Sequence, residues 1–219
     1  MVINIKIEAM VFDFGNVLMK SDSMEICKKL ALFSQLKFSA EKIYQLIFNP
    51  ELSGVYERGI IASKFFWQNV SLTIGASYSS LTFEKFSELW NSTYSEEPDS
   101  GIDETLVRIC PEIKMLLISN TDELHWQHHE NLFTIKEFFP KSENLILSFR
   151  EHLLKPARAI YELAIKKAQC HPNQILYIDD NPDFVNAFCN LGVRGIVYDC
   201  SKESIIQLYK KLRPYGVFI

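Results

Sequence analysis

Short apolar runs punctuate this chain, and each stops abruptly at polar residues. Ile5 to Phe12 ends at Asp13, and Lys114 to Ile118 ends at Ser119-Asn120-Thr121. Asn144 to Phe149 precedes Arg150, Gln174 to Ile178 ends at Asp179-Asp180-Asn181, and Arg194 to Tyr198 ends at Asp199. The runs are near strand length and lack helical spacing, as expected of strands covered on both faces. Helical patterns over Glu123–Leu132, Ala157–Ala168 and Asp183–Leu191 separate the later runs. Strand and helix in alternation predict an α/β fold: a three-layer, Rossmann-like core on a parallel sheet with right-handed crossovers.

The interval between the first and second runs breaks this rhythm. SMEICKKLALFSQL, SAEKIYQLIF, ASKFFWQNVSLTI and TFEKFSELWNSTY are amphipathic at helical spacing. The interval is too long for a loop and too poor in strand signals to extend the sheet. It predicts an inserted helical cap with its own small core, over 19–99, with the main domain formed by 1–18 and 100–219. Glu96-Glu97-Pro98-Asp99-Ser100-Gly101 is the expected return hinge. The cluster Phe65-Phe66-Trp67 and the pattern Phe83, Phe86, Trp90 fall at helical spacing and are expected in the core of the insertion, the other reading being a partly exposed wall for substrate.

Composition narrows the functional classes. The chain has 219 residues, 47% of them hydrophobic, enough to bury roughly 70% of the surface its unfolded form exposes. The 23 Lys and Arg are mixed among 27 Asp and Glu, for a net charge of −4 and no basic stripe, which argues against nucleic acid as a partner. No apolar run approaches the ~20 residues of a membrane span, and the charged, strand-like N-terminus does not read as a signal peptide. The five cysteines form no CxxC motif, and their odd number suits reduced thiols in a cytoplasmic setting.

Ligands of open parallel sheets bind beyond the carboxyl ends of the strands. There the sequence gathers Asp13, Ser119-Asn120-Thr121 and Asp179-Asp180, with Lys155-Pro156 opening the helix after the third strand. Carboxylates, a hydroxyl, amide donors and one ammonium suit a phosphate and a hard cation such as Mg²⁺. The helix start near Thr121 offers backbone N–H groups to phosphate oxygens, and Asp13 is a carboxylate able to accept a phosphoryl group. Each element also has a plainer reading. A lone Asp at a strand end is often a turn residue, Ser-Asn-Thr an N-cap cluster, and Lys-Pro a helix start. Asp183 reads as the N-cap of the following helix, and Tyr56-Glu57-Arg58-Gly59 as a turn or as a loop lowered onto substrate by the insertion. His125 and His129 are one helical turn apart but lack further ligands, so a solvated or half-buried helix face is expected.

The order of these elements resembles the haloacid dehalogenase superfamily of hydrolases. VFDFGNVL is similar to its first motif, LLISNT to its second, Lys155 in LLKPARAIYELA to its third, and LYIDDNPDFVNAFCNLG to its fourth. The insertion resembles the helical cap of that superfamily, and DFGN with YERG is most similar to the branch containing sugar-1-phosphate phosphatases. The resemblance implies a Mg²⁺-dependent phosphomonoesterase acting through an aspartyl phosphate on a small phosphorylated metabolite, sugar phosphates included, as a monomer or homodimer. It makes Asp13 the nucleophile, Lys155 its catalytic partner, and Ser119 and Asn120 the phosphate ligands. Asp13, the Gly15 carbonyl, Asp180 and Asp179 would hold the metal.

One position departs from the pattern. The superfamily's phosphatases carry a second aspartate two residues after the first, to protonate the leaving oxygen and activate water. Here it is Gly15. An acidic leaving group, an acid from the cap such as Glu57, or slow turnover would each answer the loss, and Gly15-Asn16 also suits a tight turn with positive φ. The rivals are a metal-independent 2-haloacid dehalogenase, whose halide needs no proton, and a phosphate-binding regulatory protein with weak turnover.

Overall fold

Five parallel strands form the centre of the molecule, in the order β3-β2-β1-β4-β5. They are β1 (Ala9–Phe12), β2 (Lys114–Ser119), β3 (Leu145–Leu147), β4 (Ile175–Asp179) and β5 (Arg194–Val197). The structure, a computed structural model, describes residues 6–218; Ile5, where the first apolar run begins, lies outside them. Register runs Val11↔Leu116 and Val11↔Tyr177 across the central strand. Because the chain builds outward from β1 to β3 and then returns to the other side of β1, the switch point of the topology falls between β1 and β4. A ligand crevice is expected at that point.

Side chains alternate across this sheet, and two apolar layers result. Met10, Phe12, Leu117, Leu176 and Ile178 face one cluster. It is closed by Ile102 and Leu106 of α6 (Ile102–Val107), Trp126 of α7 (Glu123–His129), Ile135 of α8 (Phe133–Phe138), and Leu208 and Leu212 near the C-terminus. Ala9, Val11, Leu116, Ile118 and Tyr177 face the other, closed by Ile160 and Tyr161 of the helix over Arg158–Ala168 and by Val185 and Phe188 of the helix over Pro182–Cys189. Fully burying each such side chain contributes about 1.5–3 kcal/mol. The three-layer α/β fold read from the runs is the fold observed.

The insertion forms α1 (Ser23–Ala31), α2 (Ala40–Ile47), α3 (Ser53–Glu57), α4 (Ser63–Ile74) and α5 (Phe83–Asn91). Their apolar faces make a third cluster around Ile43, Tyr56, Phe66, Phe86 and Trp90, which Leu124 of α7 joins from the core; Phe65, expected in that core, is exposed instead, because Phe66 and Val70 take the inward face of α4. Caps explain where these helices begin. Asp22 accepts the N–H groups of Met24 and Glu25, and the Ser39 and Thr82 hydroxyls accept those of Lys42 and Lys85. The two connections to the core run side by side. Asp22 N–H donates to the Thr93 carbonyl at 2.8 Å, Ser95 N–H to Lys20 at 2.9 Å, and Asp99 N–H, within the expected hinge, to Leu18 at 2.8 Å.

Several boundaries differ from those predicted. Phe149 leaves the third strand, because Ser148–Glu151 turns into a short helix, α9. The helix expected to reach Leu132 stops at His129, and Leu132, extended in backbone, starts α8 instead. The remaining helices, α10 (Arg158–Ala168), α11 (Pro182–Cys189) and α12 (Ile205–Leu212), complete the chain. Asn181, not Asp183, caps α11: Pro182 has no N–H to satisfy, and Asn181 Oδ1 accepts the Asp183 N–H at 2.9 Å. Among the described residues, no helix is long and apolar enough to cross a membrane.

Candidate active site

Asp13 follows β1, and Asp179 ends the neighbouring β4, so their carboxylates flank the switch point. Lys155 enters from the loop before α10 and is 4% exposed. Its ammonium lies 2.8 Å from Asp13 Oδ1 and 2.7 Å from Asp179 Oδ2. The Asn120 side chain clamps that loop: Oδ1 accepts the Lys155 N–H at 2.8 Å, and Nδ2 donates to the Lys155 carbonyl at 3.1 Å. Both ends of the Asn120 side-chain amide are thus engaged by the Lys155 backbone. Ser119 ends β2 beside Asn120, buried.

The three carboxylates are close. One oxygen from each of Asp13, Asp179 and Asp180 lies within 4.8 Å of the others. A single ammonium does not balance them. Burial pushes Asp13 up to about 7, Lys155 opposes the shift, and the charges of Asp179 and Asp180 add to it. Asp180 is also raised, first by burial and then by Asp179, with Asn16 working the other way. Burial disfavours the Lys155 ammonium, yet Asp13 and Asp179 outweigh it and hold the proton more tightly than usual. A divalent cation would offset this excess negative charge, so the residues fit Mg²⁺. They do not contribute alike. Asp179 Oδ2 takes both Lys155 and the Tyr177 hydroxyl, and its Oδ1 accepts the Asn181 N–H at 2.8 Å, which spends its oxygens on the protein.

The backbone at the end of β1 corrects one expectation. Asn16 has φ 53°, whereas Gly15 has no positive φ. The turn thus asks for left-handed backbone at Asn16 alone, and Asn tolerates it. Asn16 also fixes its surroundings: Nδ2 donates to Asp180 Oδ2 at 3.2 Å, and Oδ1 accepts the Ser21 N–H at 2.9 Å. What meets Gly15 is side chain. A Cβ there would lie 3.3 Å from Ser21 Oγ, 3.7 Å from Tyr94 Cε1 and 3.8 Å from the Tyr94 hydroxyl oxygen.

A second expectation is narrowed. Three of the N–H groups near Thr121 are already engaged within the protein. Thr121 N–H donates to Ser148 Oγ at 2.8 Å, Leu124 N–H to the Tyr56 hydroxyl at 3.3 Å, and His125 N–H to Asp122 Oδ1 at 3.0 Å. The bond from Leu124 fastens the insertion to the core, and others join it. Trp90 Nε1 of α5 donates to Asp122 Oδ2 at 2.9 Å, His125 Nδ1 lies 2.9 Å from the same oxygen, and His125 Nε2 is 3.0 Å from the Trp90 carbonyl. Burial works against the His125 charge, but Asp122 overcomes it, so the net direction is upward. His125 and His129 are buried rather than solvated because α5 and Tyr94 lie over them. Among the described residues they join no metal cluster.

The Tyr56–Gly59 segment ends α3 against the core. Ser148 Oγ is 2.7 Å from the Glu57 carbonyl, and His152 Nδ1 is 2.7 Å from that of Arg58. Gly59 has φ 66°, and a Cβ on it would lie 2.1 Å from the Phe149 carbonyl oxygen, so no other residue permits this approach. The contact brings Glu57 to the rim, within electrostatic reach of Lys155. Burial pushes Glu57 up to about 7; Asp122 adds to the shift, while His125 and Lys155 oppose it. The structure thus gathers Asp13, Lys155, Asp179 and Asp180, with Asn120 clamping Lys155; Gly15 follows in the turn after Asp13, Ser119 ends β2 beside Asn120, and Glu57 lies within electrostatic reach of Lys155. Sequence reasoning passed over Asn16, Tyr94, Asp122 and Tyr177. Only Asn16 carried a signal, as a residue tolerant of left-handed backbone beside Gly15.

A family model described as haloacid dehalogenase-like hydrolase matches residues 10–197. Among solved structures, a predicted HAD-like family hydrolase from Porphyromonas gingivalis superposes with TM-score 0.78 at 22% identity, covering 94% of this chain and 98% of the other. A HAD family enzyme from Bacteroides thetaiotaomicron, in complex with magnesium and inorganic phosphate, gives TM-score 0.74 at 20% identity, covering 92% and 98%. L-2-haloacid dehalogenase from Xanthobacter autotrophicus gives TM-score 0.61 at 18% identity, covering 94% and 82%. At these identities the likeness concerns the fold.

Proposed function

The chain belongs to the haloacid dehalogenase-like hydrolase family, and from that premise we propose that it is a Mg²⁺-dependent phosphomonoester hydrolase working through an aspartyl phosphate. The observation that carries this is the Lys155 ammonium held at 2.8 Å from Asp13 and 2.7 Å from Asp179, with Asp180 completing a three-carboxylate cluster at the sheet's switch point. Displacement of halide by Asp13 would need no such cluster. The Bacteroides neighbour, in complex with magnesium and inorganic phosphate, is in keeping with this choice.

In this mechanism Asp13, the Gly15 carbonyl and Asp180 would hold the metal. Asp179 belongs to the same cluster, but we assign it to Lys155, since its oxygens are already shared among Lys155, Tyr177 and Asn181. When bound, Mg²⁺ supplies charge neutralisation at the phosphate oxygens. Ser119 donates to a phosphate oxygen, and Asn120 keeps Lys155 aimed at another. An Asp13 oxygen forms a bond to phosphorus as the ester P–O bond breaks, and Glu57 gives its proton to the departing oxygen. Water then attacks the aspartyl phosphate, Glu57 takes its proton, and Asp13 and inorganic phosphate are released. Residues 19–99 act as the cap, on a core of 1–18 and 100–219, and enclose a small phosphorylated metabolite of the sugar-phosphate kind. Assay of a panel of phosphorylated metabolites should give phosphate release that needs Mg²⁺ and stops with EDTA. Activity on 2-haloacids that survives EDTA would instead mean a dehalogenase.

Glu57 gives this scheme a pH signature. With its carboxyl raised to about 7, it is protonated and able to donate below that value and loses the proton above it. The rate of phosphoenzyme formation should therefore fall above about pH 7. Glu57→Gln should lower kcat on the order of 10²-fold and remove this alkaline limb. A limb unchanged in the variant would assign the proton to another group.

A further inference from the structure

A side chain on residue 15 would start beside Tyr94, with the Ser21 hydroxyl nearer still at 3.3 Å. A Cβ at Gly15 would meet the Tyr94 ring edge at 3.7 Å and its hydroxyl oxygen at 3.8 Å. The placement is well supported. Ser21 and Tyr94 form an antiparallel bridge between the two connections of the insertion. The flanking bonds from Asp22 to Thr93 and from Ser95 to Lys20 fix the backbone on both sides. The ring stands edge-on to His125 and His129, each at 4.9 Å, and tilted on Phe14 at 5.4 Å. These contacts engage its faces and edges; no described residue hydrogen-bonds its hydroxyl, and that hydroxyl reaches toward Gly15 beside Asp13.

Building on the phosphatase assignment, we propose that Tyr94 is a further catalytic residue, its phenol O–H donating a hydrogen bond to the ester oxygen as that oxygen leaves phosphorus. The insertion thus returns to the site the donor that position 15 lacks, from a segment far away in sequence. The substitute is not equivalent to a carboxylic acid. Burial, and then the charges of Asp13, Asp122, Glu57 and Asp180, hold the phenol far above its usual range. It therefore remains a donor at every working pH and cannot serve as a base. Its contribution is confined to the first half-reaction, where it shares the developing negative charge on the oxygen while Glu57 supplies the proton. Hydrolysis of the aspartyl phosphate proceeds without it.

Tyr94→Phe keeps the ring and removes only the oxygen, so its packing against Phe14, His125 and His129 is retained and an unchanged melting temperature checks this. The variant should be compared with the wild type on a series of alkyl, aryl and acyl phosphates in Mg²⁺. On alkyl phosphates, whose leaving oxygen develops most charge, kcat should fall on the order of 10- to 100-fold with KM little changed. On p-nitrophenyl phosphate and acetyl phosphate the loss should be under about threefold, because a stable leaving group needs no donor. The rate should thus depend more steeply on leaving-group pKa in the variant. Steady-state aspartyl phosphate, trapped by rapid quench, should decrease on alkyl substrates, since formation slows and breakdown does not. An equal loss on all substrates, or none on any, overturns the role of Tyr94 while leaving the phosphatase assignment standing. A wild-type protein that turns over no member of the series removes the phosphatase assignment, and the role of Tyr94 with it.

Discussion

Asp13→Asn is expected to abolish phosphate release, by on the order of 10⁴-fold or more, while leaving the protein folded. The amide keeps the shape of the carboxylate but has no oxygen lone pair basic enough to attack phosphorus. It also weakens the hold on Mg²⁺ by removing one charge from the cluster of Asp13, Asp179 and Asp180. Stability should respond differently. The folded-state value of Asp13 is raised to about 7, first through burial, so the native state favours the neutral form. Whatever stability Asp13 contributes is present at acid pH and is lost as pH rises from its unfolded value, about 3.9, through about 7. A neutral amide escapes that loss. Metal-free Asp13→Asn should accordingly melt close to the wild type at neutral pH, with a flatter dependence on pH over that window. Rapid quench and mass analysis should find phosphorylated Asp13 in the wild type and none in the variant. Retained turnover by a folded Asn variant would end the assignment of Asp13 as nucleophile.

Which parts of this site a sequence can reveal depends on how local their causes are. Asp13, Ser119, Lys155, Asp179 and Asp180 were readable because each sits where an apolar run stops or a helix begins, and in a parallel sheet those stops share one edge. The strands were readable for the same reason, although Ser148 and Phe149 turn into α9 despite the apolar character of NLILSF. Glu57 was readable only as a candidate, because its height over the site depends on Gly59 closing against Phe149. Tyr94 could not be read at all. Its place over Gly15 follows from pairing between Ser21 and Tyr94, which no pattern within either segment announces. The same holds for Asp122. Its sequence context is that of a helix N-cap, which it is, but it also receives Trp90 Nε1 from α5. Gly15 is the instructive case. Glycine at a turn suggests a backbone need, yet the unusual φ belongs to Asn16, and what stands beside the glycine is side chain from the insertion, Ser21 and Tyr94.

Lys155→Met should both unfold the protein more readily and stop its chemistry, and the two effects can be separated. The side chain is 4% exposed, its ammonium is within 2.8 Å of two carboxylates, and it lies 5.1 Å from the centre of the Phe184 ring. Methionine retains the length and the apolar contact but leaves Asp13 and Asp179 facing each other without a counter-charge. Breaking a buried ion pair in this way costs about 3–5 kcal/mol. Turnover should fall on the order of 10³-fold, since the ammonium also stabilises charge on the transferring phosphoryl group. A second substitution tells these consequences apart. Adding Asp179→Asn removes one of the two charges that Lys155→Met strands, and with it their mutual repulsion, while the Asn carbonyl can still accept the Tyr177 hydroxyl or the Asn181 N–H. The double variant should therefore regain much of the lost stability in denaturant titration and none of the lost turnover. Recovery of both would reduce Lys155 to a structural counter-ion; recovery of stability alone places its ammonium on the phosphate.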